Sequence, residues 1–400
     1  MRILHAASSY PLTPRDTTAP FMEEMLGALA QAGNEVTIVV PRVSGLVDGV
    51  REGVRVIGAP YAPGALQNWG HGRSLDAAGT LRLSALAVTP LALGSMTRVV
   101  RREVSRKDPD VVHLHWVLPQ GAIALALPDK VPVVVSVHGA DAKFVDGRLR
   151  ALTERILKRA DALVAASAKI LDFITAIHPV SKERSRVIHH GADSSLFAQV
   201  DRSEARMELG IGADHQVVVG LGRLVEKKGF DHLIRSLEYL PDQSADIFII
   251  GTGPEGSDLE RLAASDRRVH FPGIATRREA ARWLAAADVV AIPSVEAHRD
   301  LDSGPVVLME ALASGRPVVS SLVGMAPEMI EDDVNGYLVD PRDPRAFGLA
   351  LDKAIRHSTR LGQGARSTFE RIGDWSRVAD ELDDVYSMAI ANRQRLTSTD

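Results

Sequence analysis

No cysteine occurs in the 400 residues. That excludes disulfides and thiolate metal ligands, and it fits a reducing cytoplasm. Long apolar runs are missing too. The most apolar longer stretch, LSALAVTPLALGSM, is too short to span a bilayer and contains Pro90. No apolar core follows the first arginine, so MRILHAASSYP reads as a first β-strand and not as a signal peptide. Nor is there a large excess of one charge: a net of −4 argues against nucleic acid as a partner held by bulk electrostatics. A cytoplasmic chain without a transmembrane segment is expected.

What remains is an ordinary globular composition, long enough for two domains. Val/Ile-rich runs alternate with helical patterns. RILHAA, EVTIVV, VRVIGA, VVHLHW, VPVVVSV, ALVAAS and SRVIHH precede a linker-like stretch, GADSSLFAQVDRSEAR. QVVVGLG, ADIFIIG, RVHFPG, DVVAIP, PVVSS and GYLVD follow it. Continuous apolar strands separated by helices indicate parallel sheets covered on both faces. Two doubly wound, Rossmann-like α/β domains facing across a cleft are expected, spanning residues 1–195 and 196–373. An amphipathic helix over 374–400 is expected to pack back on the first domain. In FMEEMLGALAQAG, Phe21, Met22, Met25, Leu26 and Leu29 form one apolar helix face that stops at Gly33.

Ligands of such sheets bind beyond the carboxyl ends of the strands, which selects a few polar residues. SVEAHRDLDSGPVVLMEALASGRPVVSS, residues 294–321, places Asp302 before a helix that opens near Pro305 and closes at Gly315. Glu310 follows about 7–8 Å further on. A ligand lying there can offer hydroxyls to both carboxylates and negative charge to the amides of Ser303, Gly304 and Val306. In GRLVEKKGF, Arg223 and Lys228 follow a strand, where two cations can clamp a diphosphate leaving group. His138 and Asp141 lie at another strand end. His113 and His115 share a sheet face, but a metal role lacks a third ligand in the sequence.

Two further patterns point elsewhere. IIGTGPEG, with Gly251 and Gly253, has the outline of a dinucleotide-binding turn, although Pro254 removes an amide and no acidic residue ends the next strand. It makes an NAD-dependent oxidoreductase the alternative. The segment from Gly72 to Lys107 carries a net of +5 beside its apolar stretch, a pattern suited to an anionic membrane surface.

Taken together these residues resemble the retaining GT-B glycosyltransferases of glycosyltransferase family four. The resemblance covers nearly the whole chain. DSGPVVLMEA corresponds to the family's E-G-x-P-x-x-x-x-E-A element, GRLVEKKG to its G-R-[LF]-x-x-x-K-G element and GTGP to its G-x-G-P turn. SVHGAD, VIHHGAD and VVHLHWVLPQG also resemble family segments. The resemblance implies transfer of a hexose-type sugar from a nucleotide diphosphate sugar to a lipid-linked or glycan acceptor at the cytoplasmic membrane face, with retention and without a metal or other cofactor. It implies ribose contacts from Glu310, sugar contacts from Asp302, Ser303, Gly304, Pro305 and Val306, diphosphate contacts from Arg223 and Lys228, and His138 near the scissile bond. Gly253 would belong to the substrate-binding turn. The chain departs from the family at Asp302, one methylene shorter than the usual glutamate. It departs again at Asp16 and Thr17, which stand where a Gly-Gly turn often contacts phosphate and acceptor. A GT-B-shaped binding subunit without catalysis is a further alternative, which the intact acidic and basic elements disfavour.

Overall fold

The computed structural model describes residues 1–13, 16, 18–71, 83–139, 145, 147–180, 182–240, 245–296 and 305–398. Two units emerge. One is built from Met1–His189 and Trp375–Asp400, the other from His190–His298 and Gly304–Asp374.

The first unit holds an eight-stranded sheet of β1 (Arg2–Ala6), β2 (Glu35–Pro41), β3 (Gly49–Arg51), β4 (Val54–Ala59), β5 (Val111–His115), β6 (Val133–Val137), β7 (Ala162–Ala165) and β8 (Ser185–Val187). Their order is β3-β4-β2-β1-β5-β6-β7-β8. Every pair is parallel except the β3–β4 hairpin. β3 is absent from the sequence-based strands; it is three residues long, largely exposed, and has no apolar pattern to betray it. From β4 through β7 the order runs outward from β1 in both directions, so the strand order reverses between β1 and β5, the switch point at which such sheets bind ligands.

The Pro20–Gln31 helix buries Met22, Met25, Leu26 and Leu29, as its spacing predicts, while Phe21 stays partly exposed. The Trp375–Thr397 helix lays Trp375, Val378, Leu382, Val385 and Tyr386 into the same core. Trp375 Nε1 donates to Glu24 at 2.7 Å, and Arg393 Nη2 lies 2.9 Å from Asp161. Those five apolar side chains bring on the order of 8–15 kcal/mol of gross burial, before chain entropy is set against it.

The second unit holds a six-stranded, wholly parallel sheet: β9 (Val217–Leu221), β10 (Asp246–Ile250), β11 (Val269–Gly273), β12 (Val289–Ile292), β13 (Val318–Ser320) and β14 (Gly336–Leu338). Their order, β11-β10-β9-β12-β13-β14, is the doubly wound 3-2-1-4-5-6 arrangement, with its reversal between β9 and β12. Both units therefore have the expected α/β class.

Candidate functional site

In the second unit, the loops leaving β9 and β12 meet at the reversal. Arg223 and Lys228 stand on the β9 exit; Arg223 is exposed and Lys228 half-buried. The loop is pinned from two sides. The Val295 amide donates to the Lys227 carbonyl at 2.9 Å. Gly229 adopts a left-handed conformation, φ 63°, and a side chain there would lie 2.0 Å from the Pro293 carbonyl oxygen, so only glycine lets the two loops close on each other. From the β10 exit, the Leu224 amide donates to Thr252 at 3.0 Å and Glu255 returns a bond to Leu224 at 3.1 Å. A Cβ on Gly253 would sit 2.2 Å from the Leu224 oxygen. The GTGP turn thus braces the Arg223 loop by close backbone packing, which requires glycine at Gly253 and, against the Gly222 oxygen, at Gly251.

Beyond β12 the chain leads to the Val306–Ala313 helix, with Pro305 as its N-cap in extended conformation. Asp302, Ser303 and Gly304, like Thr17 and Asp141, lie outside the described residues. Glu310 is 3% exposed. It pairs with Arg277, whose guanidinium also stacks on Phe197 at 4.8 Å. The sequence does not single out Arg277. Its helix start is marked by a Thr276–Glu279 capping box, yet nothing in the spacing ties it to a glutamate 33 positions away. The hydroxyls of Ser294 and Ser321, at the exits of β12 and β13, are buried without a hydrogen-bond partner among the described residues. Polar groups held ready in this way suit a ligand at the carboxyl edge.

In the first unit, His138 follows β6 in an aromatic setting. Its ring lies 4.9 Å from Trp116 and 5.8 Å from Phe21. It also heads a chain of imidazoles. His138 Nε2 is 3.1 Å from His115 Nδ1, and His115 Nε2 is 3.0 Å from His5 Nδ1. His5 Nε2 is buried without a hydrogen-bond partner among the described residues. His113 is packed alongside, its ring centroid 4.2 Å from that of His115, with its nitrogens 2.9 Å from Tyr386 Oη and 2.7 Å from Ser136 Oγ. Burial holds His5, His113 and His115 well below the ordinary imidazole range, and neighbouring imidazoles add to the effect. Ring nitrogens of these three converge within 4.8 Å, so His5 is the third potential ligand. Both nitrogens of His113 are nevertheless engaged, and an ion would have to displace Tyr386 or Ser136. Asp16 turns inward on its own loop, accepting from Leu12 at 3.0 Å and Thr18 at 2.8 Å. Burial pushes its carboxyl upward, but these bonds prevail and hold it below the usual range.

Two doubly wound units, with two cations on the β9 exit of the second and a buried acid on the helix after β12, define a GT-B architecture. Solved structures share it. Sucrose-phosphate synthase from Thermosynechococcus elongatus matches with a TM-score of 0.76 at 19% identity, over 98% of this chain and 99% of that one. HepE of Anabaena in complex with UDP matches at 0.74 and 18%, over 97% and 100%. Residues 19–196 match the Glycosyltransferase Family 4 model, and residues 215–357 match Glycosyl transferases group 1. The D-inositol 3-phosphate glycosyltransferase of Xylanimonas cellulosilytica is 31% identical, over 93% of this chain and 92% of its own. Its namesake in Mycobacteroides abscessus is also 31% identical, over 76% and 72%. The chain belongs to glycosyltransferase family 4 and is a glycosyltransferase.

Proposed function

We propose that the protein transfers a hexose-type sugar, with retention and without a metal, from a nucleoside diphosphate sugar to a phosphorylated polyol or a lipid-linked or glycan acceptor. The observation that carries this reading is the meeting of the Arg223–Lys228 loop with the β12 exit at the strand-order reversal. Arg223 and Lys228 would neutralise the diphosphate as it leaves, and Glu310, oriented by Arg277, would accept hydroxyls from the ribose. Asp302, Ser303, Gly304, Pro305 and Val306 would hold the sugar, and His138 would lie near the bond that breaks. Asp16, Thr17 and Gly253 complete the proposed substrate contacts. The anomeric carbon–phosphate oxygen bond breaks, the acceptor oxygen bonds to that carbon from the same face, and its proton passes to the departing phosphate. Positioning and charge stabilisation then supply the rate.

The names of the inositol phosphate glycosyltransferase relatives and the UDP bound by HepE support the acceptor and donor classes. A thermal-shift panel of UDP-, GDP-, ADP- and dTDP-sugars tests the donor, with about 2.7 kcal/mol of stabilisation at a hundredfold excess over Kd. Lys228→Ala is expected to lower turnover by about 2–4 kcal/mol of lost charge stabilisation. Unchanged kinetics in a folded variant would remove the assignment.

One feature favours the lipid-linked acceptor. The Leu83–Lys107 helix packs Met96, Val100 and Val104 inward and pairs buried Glu103 with Arg55 at 2.8 Å. Leu86 and Leu91 are 54% and 60% exposed, and Arg98, Arg101, Arg102, Arg106 and Lys107 are exposed further along. No helix among the described residues is long and apolar enough to cross a membrane. A helix of this kind suits peripheral contact at the inner face of a membrane. Flotation with anionic liposomes, lost on Leu86→Asp/Leu91→Asp, is the expected result; a wild-type chain that never floats refutes it.

A further inference from the structure

The opposite edge of the second sheet, where β12 and β13 begin, carries a cavity of about 610 Å³. Its walls contribute Arg202, Arg316 and Arg366, with hydroxyls from Ser314, Ser358 and Thr359. The charges do not balance locally. Asp288 is the buried acid in the wall, and it is already saturated. One oxygen pairs with Arg202; the other accepts from Arg206 and from the Val217 amide, each at 2.8 Å. Glu370 lines the cavity but is exposed. Asp201, whose charge is also felt by Arg316, caps the following helix through the amides of Ser203 and Glu204.

Among the described residues, the hydrogen bonds of Arg316 and Arg366 go to backbone carbonyls. Arg316 Nη1 donates to Ala287 at 3.4 Å, and both terminal nitrogens of Arg366 reach Ala198 at 3.3 Å. These distances lie beyond the usual range for such bonds. The Nε of Arg316 is buried with no hydrogen-bond partner among the described residues. Burial, followed by the nearby Arg202, pushes this guanidinium down to about 10, and the attraction of Asp288, already shared with Arg202 and Arg206, does not offset it. A cation so desolvated and crowded by like charges is unfavourable unless an anion joins it.

We propose that this cavity binds a small phosphate-type dianion, as free phosphate or as the phosphate group of a monoester. Arginine forks match tetrahedral oxyanions in bidentate fashion, and the hydroxyls of Ser358 and Thr359 supply further donors, Ser314 already donating to the Glu310 carbonyl at 2.9 Å. The site is separate from the donor site, because Arg223 and the β12 exit lie at the other ends of the same strands. A bound anion would replace the weak carbonyl contacts of Arg316 and Arg366 with charge-assisted ones.

The test uses the full chain, with inorganic phosphate and glycerol phosphate titrated at constant ionic strength and read by thermal shift and calorimetry. Wild type and Arg223→Gln are expected to bind alike, while Arg316→Gln loses at least tenfold in affinity and Arg366→Gln behaves similarly. Without anion, Arg316→Gln should melt no lower than wild type, since an uncompensated cation has been removed. Binding of both ligands assigns recognition to the phosphate group; binding of the monoester alone assigns it to a phosphorylated metabolite. Equal affinity in wild type and both cavity variants overturns the proposal. So does binding lost in Arg223→Gln but kept in Arg316→Gln, which would place the anion at the donor site.

Discussion

Lowering the pH from 7.5 to 5.5 should destabilise the first unit far more than ordinary surface titration would. His5, His113 and His115 are fully buried, and burial holds each below its ordinary value. In the unfolded chain each takes up a proton near pH 6.5. A depressed folded value means that stability is complete above the unfolded value and falls as pH drops through and below it. Between pH 7.5 and 5.5 each ring that stays neutral in the fold costs about 1.4 kcal/mol, so three cost about 4 kcal/mol. Tyr386, beside His113, does not titrate in this window, because burial, and then Asp383, raise its hydroxyl well above the ordinary range. Buried Asp161 and half-buried Glu23 are shifted upward, mainly by desolvation. Folded values raised in this way give the opposite sign, and the window stops at pH 5.5 to limit their share. Urea unfolding followed by tryptophan emission is a suitable assay, since Trp69, Trp116 and Trp375 all belong to the first unit and only Trp283 to the second. His5→Gln should remove about a third of the pH dependence. A total change below about 1.4 kcal/mol, the effect of a single ring, would show that the imidazole chain accepts protons in place.

Two other outcomes follow from the second unit. Gly253→Ala pushes a methyl group against the Leu224 carbonyl; a stability loss of about 1–3 kcal/mol should accompany weaker donor binding, measured by calorimetry. Normal values of both would mean that the Arg223 loop has room to yield. Arg277→Gln strands Glu310, and should cost up to about 3 kcal/mol, less than a fully enclosed pair because the guanidinium is a quarter exposed. Adding Glu310→Gln should recover part of the loss in a double-mutant cycle on urea unfolding.

The strands were legible because parallel strands covered on both faces must be apolar throughout, as in VVHLH and VVVGL. Their order was not, since nothing local records which strand lies beside which. His113 and His115 could be set on one face by their two-residue spacing. Only the β1–β5 register, which pairs His5 with His113, supplies the remaining imidazole. Arg223, Lys228 and Glu310 stood out by motif. Arg277 did not, because an ion pair between two helices depends on tertiary placement. GTGP was legible as a turn; in the structure Gly253 answers a close backbone contact with Leu224 and Gly251 one with Gly222.

The return of the Trp375–Thr397 helix to the first sheet has a consequence during synthesis. The ribosome finishes β8 of that sheet well before this helix exists, with the whole of the second unit still to be made. At typical elongation rates the roughly 185 intervening residues take about 10–40 s. Throughout that interval the groove destined for Trp375, Leu382 and Tyr386 stays uncovered on the nascent chain, a natural place for a chaperone to hold.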